Sequence, residues 1–407
     1  MRTNAIFNLV GCLAYQGCLW ATTVAIVLIS GYDASGVLSY SMAIGNIFLS
    51  IASFNIRIYQ VSDTNNKYST GCYIAFRAAT IALAFILLVP YVLISTQDKS
   101  LLAPVLVYLL FKTDEALCDV LYGIDQKHER MDYIGVSQLI RGISIFTAFC
   151  VALHVTQSIL VAFGSMFLGG LTITLVYDIP HARRFETIDI SINAASAVSL
   201  FRECLPMVAA ITLFSSIASL ARQLYGNLQG TEALGLYAAI ATPSVLIQAA
   251  SRYLYAPFLV PLANKWNRQE HIAFFGMYIK VFLLICAAGL TSVLAIEWVG
   301  PKILPILYGP SIEPHVWLLR GVMLATAMTA LINFIIDTLV ICRDIMGSLI
   351  AVAVGFILSI PIAPPLEQIF GAEGINITLI SSMSVILIIS IYRQVKLFHR
   401  SKMGELR

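Results

Sequence analysis

The sequence predicts an all-α polytopic membrane protein of about twelve transmembrane helices, arranged as two pseudo-symmetric six-helix bundles around a central cavity. Three observations predict it. The 407 residues are 59% hydrophobic and only 12% charged, whereas a soluble domain carries about 25% charged residues on a surface that this chain cannot supply. Apolar runs of spanning length recur along the whole chain. The basic residues collect between alternate runs.

The first run, residues 6–30, follows Met1-Arg2-Thr3-Asn4. It is longer than the apolar core of a signal peptide and lacks a small-residue cleavage site, so it reads as a retained first span. Five more runs cover about 36–56, 72–95, 101–122, 133–154 and 157–177. A second set covers about 203–226, 233–256, 272–298, 316–341, 346–364 and 373–392. Each can cross a hydrocarbon core of about 30 Å at about 1.5 Å per residue. Between them, residues 297–316, punctuated by Pro301, Pro305, Gly309, Pro310 and Pro314, read as an external loop with an interfacial turn.

Lys and Arg set the orientation. With the N-terminus inside, sixteen of the 25 fall in cytoplasmic segments, only Lys99 and Lys302 fall outside, and seven lie within spans. One missed helix would scramble that asymmetry. Both termini are therefore expected in the cytoplasm.

A repeat divides the chain. Asp33-Ala34-Ser35-Gly36-Val37 follows the first span, and Glu232-Ala233-Leu234-Gly235-Leu236-Tyr237 follows the seventh, 199 residues later. The same offset lays the first span on the seventh and the second on the eighth. Two parallel six-span halves, 1–190 and 191–407, follow, with the polar stretch Asp178–Ser199 as their linker and a path between them.

Several functions drop out. No GxxxxGK[ST] run is present and no cytoplasmic loop can house a nucleotide-binding domain, so ATP hydrolysis in this chain is excluded. A glycan polymerase or ligase normally needs a loop with paired acids; the first external loop offers Asp33 alone, which argues against that class without excluding it. The eight scattered cysteines form no CxxC pair and stand near no histidine at ligand spacing, so neither a disulfide, a metal nor another cofactor is inferred. A net charge of +3 gives no argument for nucleic acid.

Charge inside a membrane costs about 2.5–3.5 kcal/mol per residue on insertion scales, so it marks a pathway or an internal pair. In the fourth span, Lys112, Glu115 and Asp119 fall within about 60° of one another on the helix wheel, while Asp114 points elsewhere and needs another partner. Lys112, Glu115, Asp119 and Asp114 read either as an ion-coupling cluster or as a structural ion pair. Arg141, about eight residues into the fifth span and next to Gly142, is the leading candidate for a cavity cation, followed by Lys280. Arg77 and Arg252, one to two turns from helix ends, are further candidates, as well as residues able to snorkel. Seven basic against four acidic residues within the spans (Asp114, Glu115, Asp119 and Asp337) tilt the cavity toward anions such as a phosphate-bearing cargo.

Three stretches then carry a resemblance. They are Arg57-Ile58-Tyr59-Gln60-Val61-Ser62-Asp63, Asp125-Gln126-Lys127-His128-Glu129-Arg130-Met131-Asp132-Tyr133-Ile134-Gly135 leading to Arg141-Gly142, and Leu234-Gly235-Leu236-Tyr237-Ala238-Ala239-Ile240-Ala241-Thr242-Pro243. With the duplicated halves, they make the chain resemble the bacterial polysaccharide repeat-unit flippases (Wzx-type) of the multidrug/oligosaccharidyl-lipid/polysaccharide (MOP) superfamily. The resemblance implies translocation of an undecaprenyl-pyrophosphate-linked oligosaccharide for O-antigen or capsule, by alternating access coupled to a proton or sodium ion. Membrane lipids and the polysaccharide polymerase machinery are the partners it implies. The loop residues Arg57, Gln60, Asp63, Asp125, Gln126 and Arg130 would meet the headgroup, close an inner gate by pairing, or serve only as anchors. A cation-coupled drug exporter of the same superfamily is the alternative, and a glycan polymerase or ligase a more distant one.

Overall fold

A computed structural model describes residues 2–63, 67–186 and 192–402, and among them every long element is a helix. The helices are α1 (Arg2–Ser53), α2 (Ile56–Ser62), α3 (Thr70–Ser95), α4 (Leu102–Lys127), α5 (Met131–Thr156), α6 (Ile159–Ile173), α7 (Ile179–Phe185), α8 (Ala194–Ala241), α9 (Pro243–Asn267), α10 (His271–Tyr308), α11 (Leu319–Ile341), α12 (Ile345–Phe370) and α13 (Ala372–Lys402). Nine helical stretches among the described residues are long and apolar enough to cross a membrane. One of these, Phe7–Ser62, turns at Gly31 and counts as two spans. The charge-bearing α4 and the stretch 231–267, two of the twelve expected spans, are helical but more polar than these nine.

The turns within α1 and α8 explain why each reads as one continuous helix. Gly31 (φ 82°, ψ −174°) and Gly230 (φ 86°, ψ 172°) share one backbone conformation that only glycine adopts at low cost. They stand 199 residues apart, the offset found in the sequence. Later turns repeat too, at a different spacing. Glu129 (φ 58°) and Gln157 (φ 51°) match Arg343 (φ 63°) and Gly371 (φ 56°), both 214 residues on. The second half therefore carries 15 more residues between its first turn and the later ones.

The extra length corresponds to a corrected expectation. Residues 297–316 do not form an open loop: α10 continues through Pro301 and Pro305 to Tyr308, and a 3₁₀ turn follows over Pro310–Leu318. Two prolines four residues apart keep the helical φ, and burial of Gly300, Leu304 and Tyr308 holds the segment in place. Gly309 (φ 88°) ends it.

Chain contacts divide the molecule into two compact units, Met1–Gly235 and Leu236–Arg407. In the first, α1 packs along α5 with small residues at the crossings, as membrane helices require for close approach. A Cβ on Gly11 would fall 2.1 Å from the Gly135 carbonyl oxygen. One on Gly142 would fall 3.0 Å from Tyr15 Cα. The two duplicated turns also meet within this unit. A Cβ on Gly36 would fall 1.7 Å from the Thr231 carbonyl oxygen, and one on Gly235 would fall 1.8 Å from that of Tyr32. These contacts are reciprocal, each residue standing 199 positions from its counterpart.

In the second unit, α9, α10, α11 and the end of α13 enclose an aromatic core that includes Tyr255, Phe274, Phe275, Tyr278 and Phe334. Pro243 opens α9, directly after α8 ends at Ala241. Asp344 caps α12, accepting from the Gly347 N–H at 3.1 Å, and also accepts two bonds from Arg393 on α13.

Candidate functional site: a buried charge network in the first unit

Arg141 lies on the buried face of α5 and is 2% exposed. Its guanidinium donates to Asp114 on α4, to Asp178 at 2.8 Å and to the Thr174 hydroxyl at 2.7 Å, with Cys118 Sγ against the same nitrogen. Thr174 in turn donates to the second oxygen of Asp114 at 2.5 Å. Thr174 and Asp178 arrive together because residues 174–178 form a π-helical turn between α6 and α7, a local widening found often at functional sites. Gly170 makes room: a Cβ there would fall 2.5 Å from Asp114 Oδ2. Asp114 and Asp178 are both buried, so two carboxylates face one guanidinium. One carboxylate oxygen, Asp178 Oδ1, has no hydrogen-bond partner among the described residues. Such a site has room in its charge balance for one proton or one cation.

Asp178 corrects the expected linker. The stretch Asp178–Ser199 begins inside helical structure, and its first residue is buried against Arg141. Residues 187–191 of that stretch lie outside the described residues.

The opposite face of α4 carries a second cluster, divided as the helix wheel predicts. Lys112 pairs with Glu115 at 2.5 Å, and Glu115 accepts from the Tyr15 hydroxyl on α1. Asp119, a turn further on, binds Arg77 at 2.7 Å and Arg57 at 3.4 Å. Arg77 does not snorkel: it is fully buried and donates to the Ala52 carbonyl at 2.9 Å. That carbonyl lies at the end of α1, where helical acceptors go unused. Arg57 also donates to Gln126 at 3.0 Å, so the two loop motifs meet here.

Asp63, between α2 and α3, is nearly buried as well. Burial alone would raise its carboxyl, but the backbone N–H groups of Lys67 (2.9 Å) and Tyr68 (3.1 Å) and the Tyr73 hydroxyl (2.7 Å) outweigh that and hold it below the usual carboxylate value.

The second unit is poorer in paired charge. Lys280 and Arg252 are exposed and join none of these clusters. Asp337 accepts from the Tyr255 hydroxyl at 3.0 Å. Glu367, which sequence reasoning missed, is fully buried on α12, and neither of its oxygens has a partner among the described residues. It lies three residues beyond the expected end of its span, just after Pro364 and Pro365. An acid directly abutting an apolar run was the available signal. No group of three metal-ligating side chains occurs among the described residues.

No protein-family model matches the chain. In sequence it is similar to the capsular polysaccharide biosynthesis protein CapF of Staphylococcus aureus, 24% identical over 299 residues, which is 72% of this chain and 73% of CapF. In structure it is similar to an outward-facing multidrug resistance MATE family transporter of the MOP superfamily, with a TM-score of 0.64 and 11% identity over 96% of this chain and 94% of that one. A mutant of the Vibrio cholerae MATE transporter VcmN superposes with a TM-score of 0.63 at 12% identity, over 99% and 96% of the two chains. A MOP superfamily transporter from Pyrococcus furiosus gives 0.54 at 12% identity, over 98% and 94%. The chain is thus an all-α protein with the fold of the MATE transporters of the MOP superfamily, similar in sequence to a capsular polysaccharide biosynthesis protein.

Proposed function

We propose that this protein is a flippase that moves an undecaprenyl-pyrophosphate-linked oligosaccharide across the bacterial cytoplasmic membrane, for assembly of a surface polysaccharide. The observation that carries the reading is the likeness to CapF over most of the chain, in a protein whose fold is otherwise that of exporters. CapF is named for capsule biosynthesis, and a glycan built on a lipid carrier inside the cell has to change leaflets before it can leave.

On this reading two six-helix halves alternate about a central path. Arg141, with Asp114 and Asp178, takes up and releases the coupling ion. Proton or sodium entry would neutralise the surplus carboxylate and loosen its hold on the guanidinium. Glu115, Lys112 and Asp119, with Arg77 held on Asp119, form the second coupling cluster, while Arg57 and Arg252 supply cations toward the pyrophosphate. The Pyrococcus furiosus relative is described as having a binding pocket of reverse polarity that suggests a different function, so the fold is not tied to one cargo.

The test is a deletion in a capsule- or O-antigen-producing host, followed by extraction of lipid-linked intermediates. A single finished repeat unit accumulating on its carrier inside the cell, with no surface polymer, is the expected result. Normal surface polysaccharide with no lipid-linked intermediate would overturn it. A second reading, a cation-coupled drug exporter, is favoured by the multidrug MATE structures that share the fold. It predicts that Glu115→Gln or Asp119→Asn abolishes efflux of small organic cations.

A further inference from the structure

Lys280 lies nine residues into α10, about 14 Å along the helix at 1.5 Å per residue. It is exposed, as are Ile279, Leu283 and Leu284 beside it, so this face of a helix long enough to span a membrane is left apolar and open. No carboxylate comes within ion-pair distance of its ammonium among the described residues. A lipid-facing cation without a counter-ion is costly, and protein does not supply one here. Lys280 borders a groove of about 660 Å³ between α9 and α10, whose walls include Phe258, Lys265, Gly276, Met277 and Leu284. A Cβ on Gly276 would meet nothing within 4 Å, so the floor is open. Among the described residues Lys265 reaches one acid, Glu270, at a loose 3.7 Å. Two cations, Lys265 and Lys280, thus line an otherwise apolar groove.

We propose that this groove binds one anionic phospholipid of the surrounding bilayer, its phosphate between Lys265 and Lys280 and an acyl chain along Phe258, Gly276 and Leu284. Charge complementarity selects the head, since basic pockets between spanning helices are suited to acidic headgroups. The apolar walls select the tail. The lining also argues against the glycolipid cargo, because it offers no hydroxyl, amide or carboxylate side chain to a sugar.

The test is native mass spectrometry of the full chain, purified in mild detergent and supplied with phosphatidylglycerol. The wild type should keep one phosphatidylglycerol, and the double variant K265Q/K280Q should show at least a fivefold lower occupancy. Lys302→Gln, on the same helix but away from the groove, should retain the lipid. The variant G276L keeps both lysines but fills the floor, and it too should lose the lipid, which separates loss of the site from misfolding of the lysine variant. Phosphatidylcholine should not compete. Equal retention by wild type and K265Q/K280Q, or equal retention of phosphatidylcholine, overturns the proposal. Displacement by equimolar undecaprenyl phosphate also overturns it and assigns the groove to the carrier lipid.

Discussion

Arg141 and Asp178 meet across 2.8 Å, joining the middle of α5 to a π-helical turn that follows α6. The same guanidinium holds Asp114, so removing it leaves two buried carboxylates facing each other. Breaking a buried pair from one side costs about 3–5 kcal/mol. Arg141→Ala should therefore lower the Tm of the purified protein sharply, and the double variant R141A/D178N should recover part of the loss. A double variant no more stable than R141A would show that the pair is not coupled.

Arg77 and Asp119 form the second such pair, with the arginine fully buried and the aspartate partly exposed. Asp119→Asn should cost about 3–5 kcal/mol by leaving Arg77 without its anion. Arg320, paired with Glu297 but 72% exposed, is the comparison: Arg320→Ala should change stability by about 0–1 kcal/mol. Thermal unfolding of the two variants side by side checks both figures.

Gly36 and Gly235 admit no side chain. Gly36→Ala and Gly235→Ala each drive a methyl into a carbonyl oxygen of the facing turn, and each should destabilise by about 1–3 kcal/mol as overpacking does. Gly17→Ala meets nothing within 4 Å and should leave the Tm unchanged or slightly raised. Equal behaviour of the three would contradict the close approach.

Glu367 should be dispensable for folding. Neither of its buried oxygens is partnered among the described residues, so Glu367→Met removes a desolvated polar group and keeps the volume. The expected result is an unchanged or higher Tm. A drop of several degrees would reveal a role that these contacts do not account for.

Asp63 sets an acid limit on one loop. Its carboxyl is held below its ordinary value, so the folded state binds a proton there less readily than the unfolded chain does. Its stabilising contribution is fully present above the unfolded value of about 3.9 and fades as pH falls through the lowered one. The acid-unfolding transition of Asp63→Asn should lack that component, which a pH series of melting curves in wild type and variant would read.

The spans, the split faces of α4 and the first duplicated turn were legible in the sequence because each rests on local periodicity or on a residue with one dominant use. Hydropathy finds lipid-facing helices whatever they pack against. The partners of Arg141 were only half legible. The wheel showed that Asp114 needed a cation on another face, but Asp178 stands in a polar stretch whose composition reads as a connection, and only the π-helical turn brings it inward. Arg77 failed similarly, since distance from a helix end suggests snorkelling while its partners, the Ala52 carbonyl and Asp119, belong to other helices. Residues 297–316 read as loop because prolines punctuate them, yet tertiary burial keeps them helical.

The matched turns have a consequence for descent. Between Gly31 and Gly230, Glu129 and Arg343, and Gln157 and Gly371, a positive φ recurs while only one of the three pairs has the same residue type. We propose that an ancestral half doubled, and that its copies then diverged in side chains, in charge and by 15 residues of length. What drift preserved was the path of the chain at its corners. Homology within this protein is therefore better traced by the sign of φ at its turns than by the letters of its sequence.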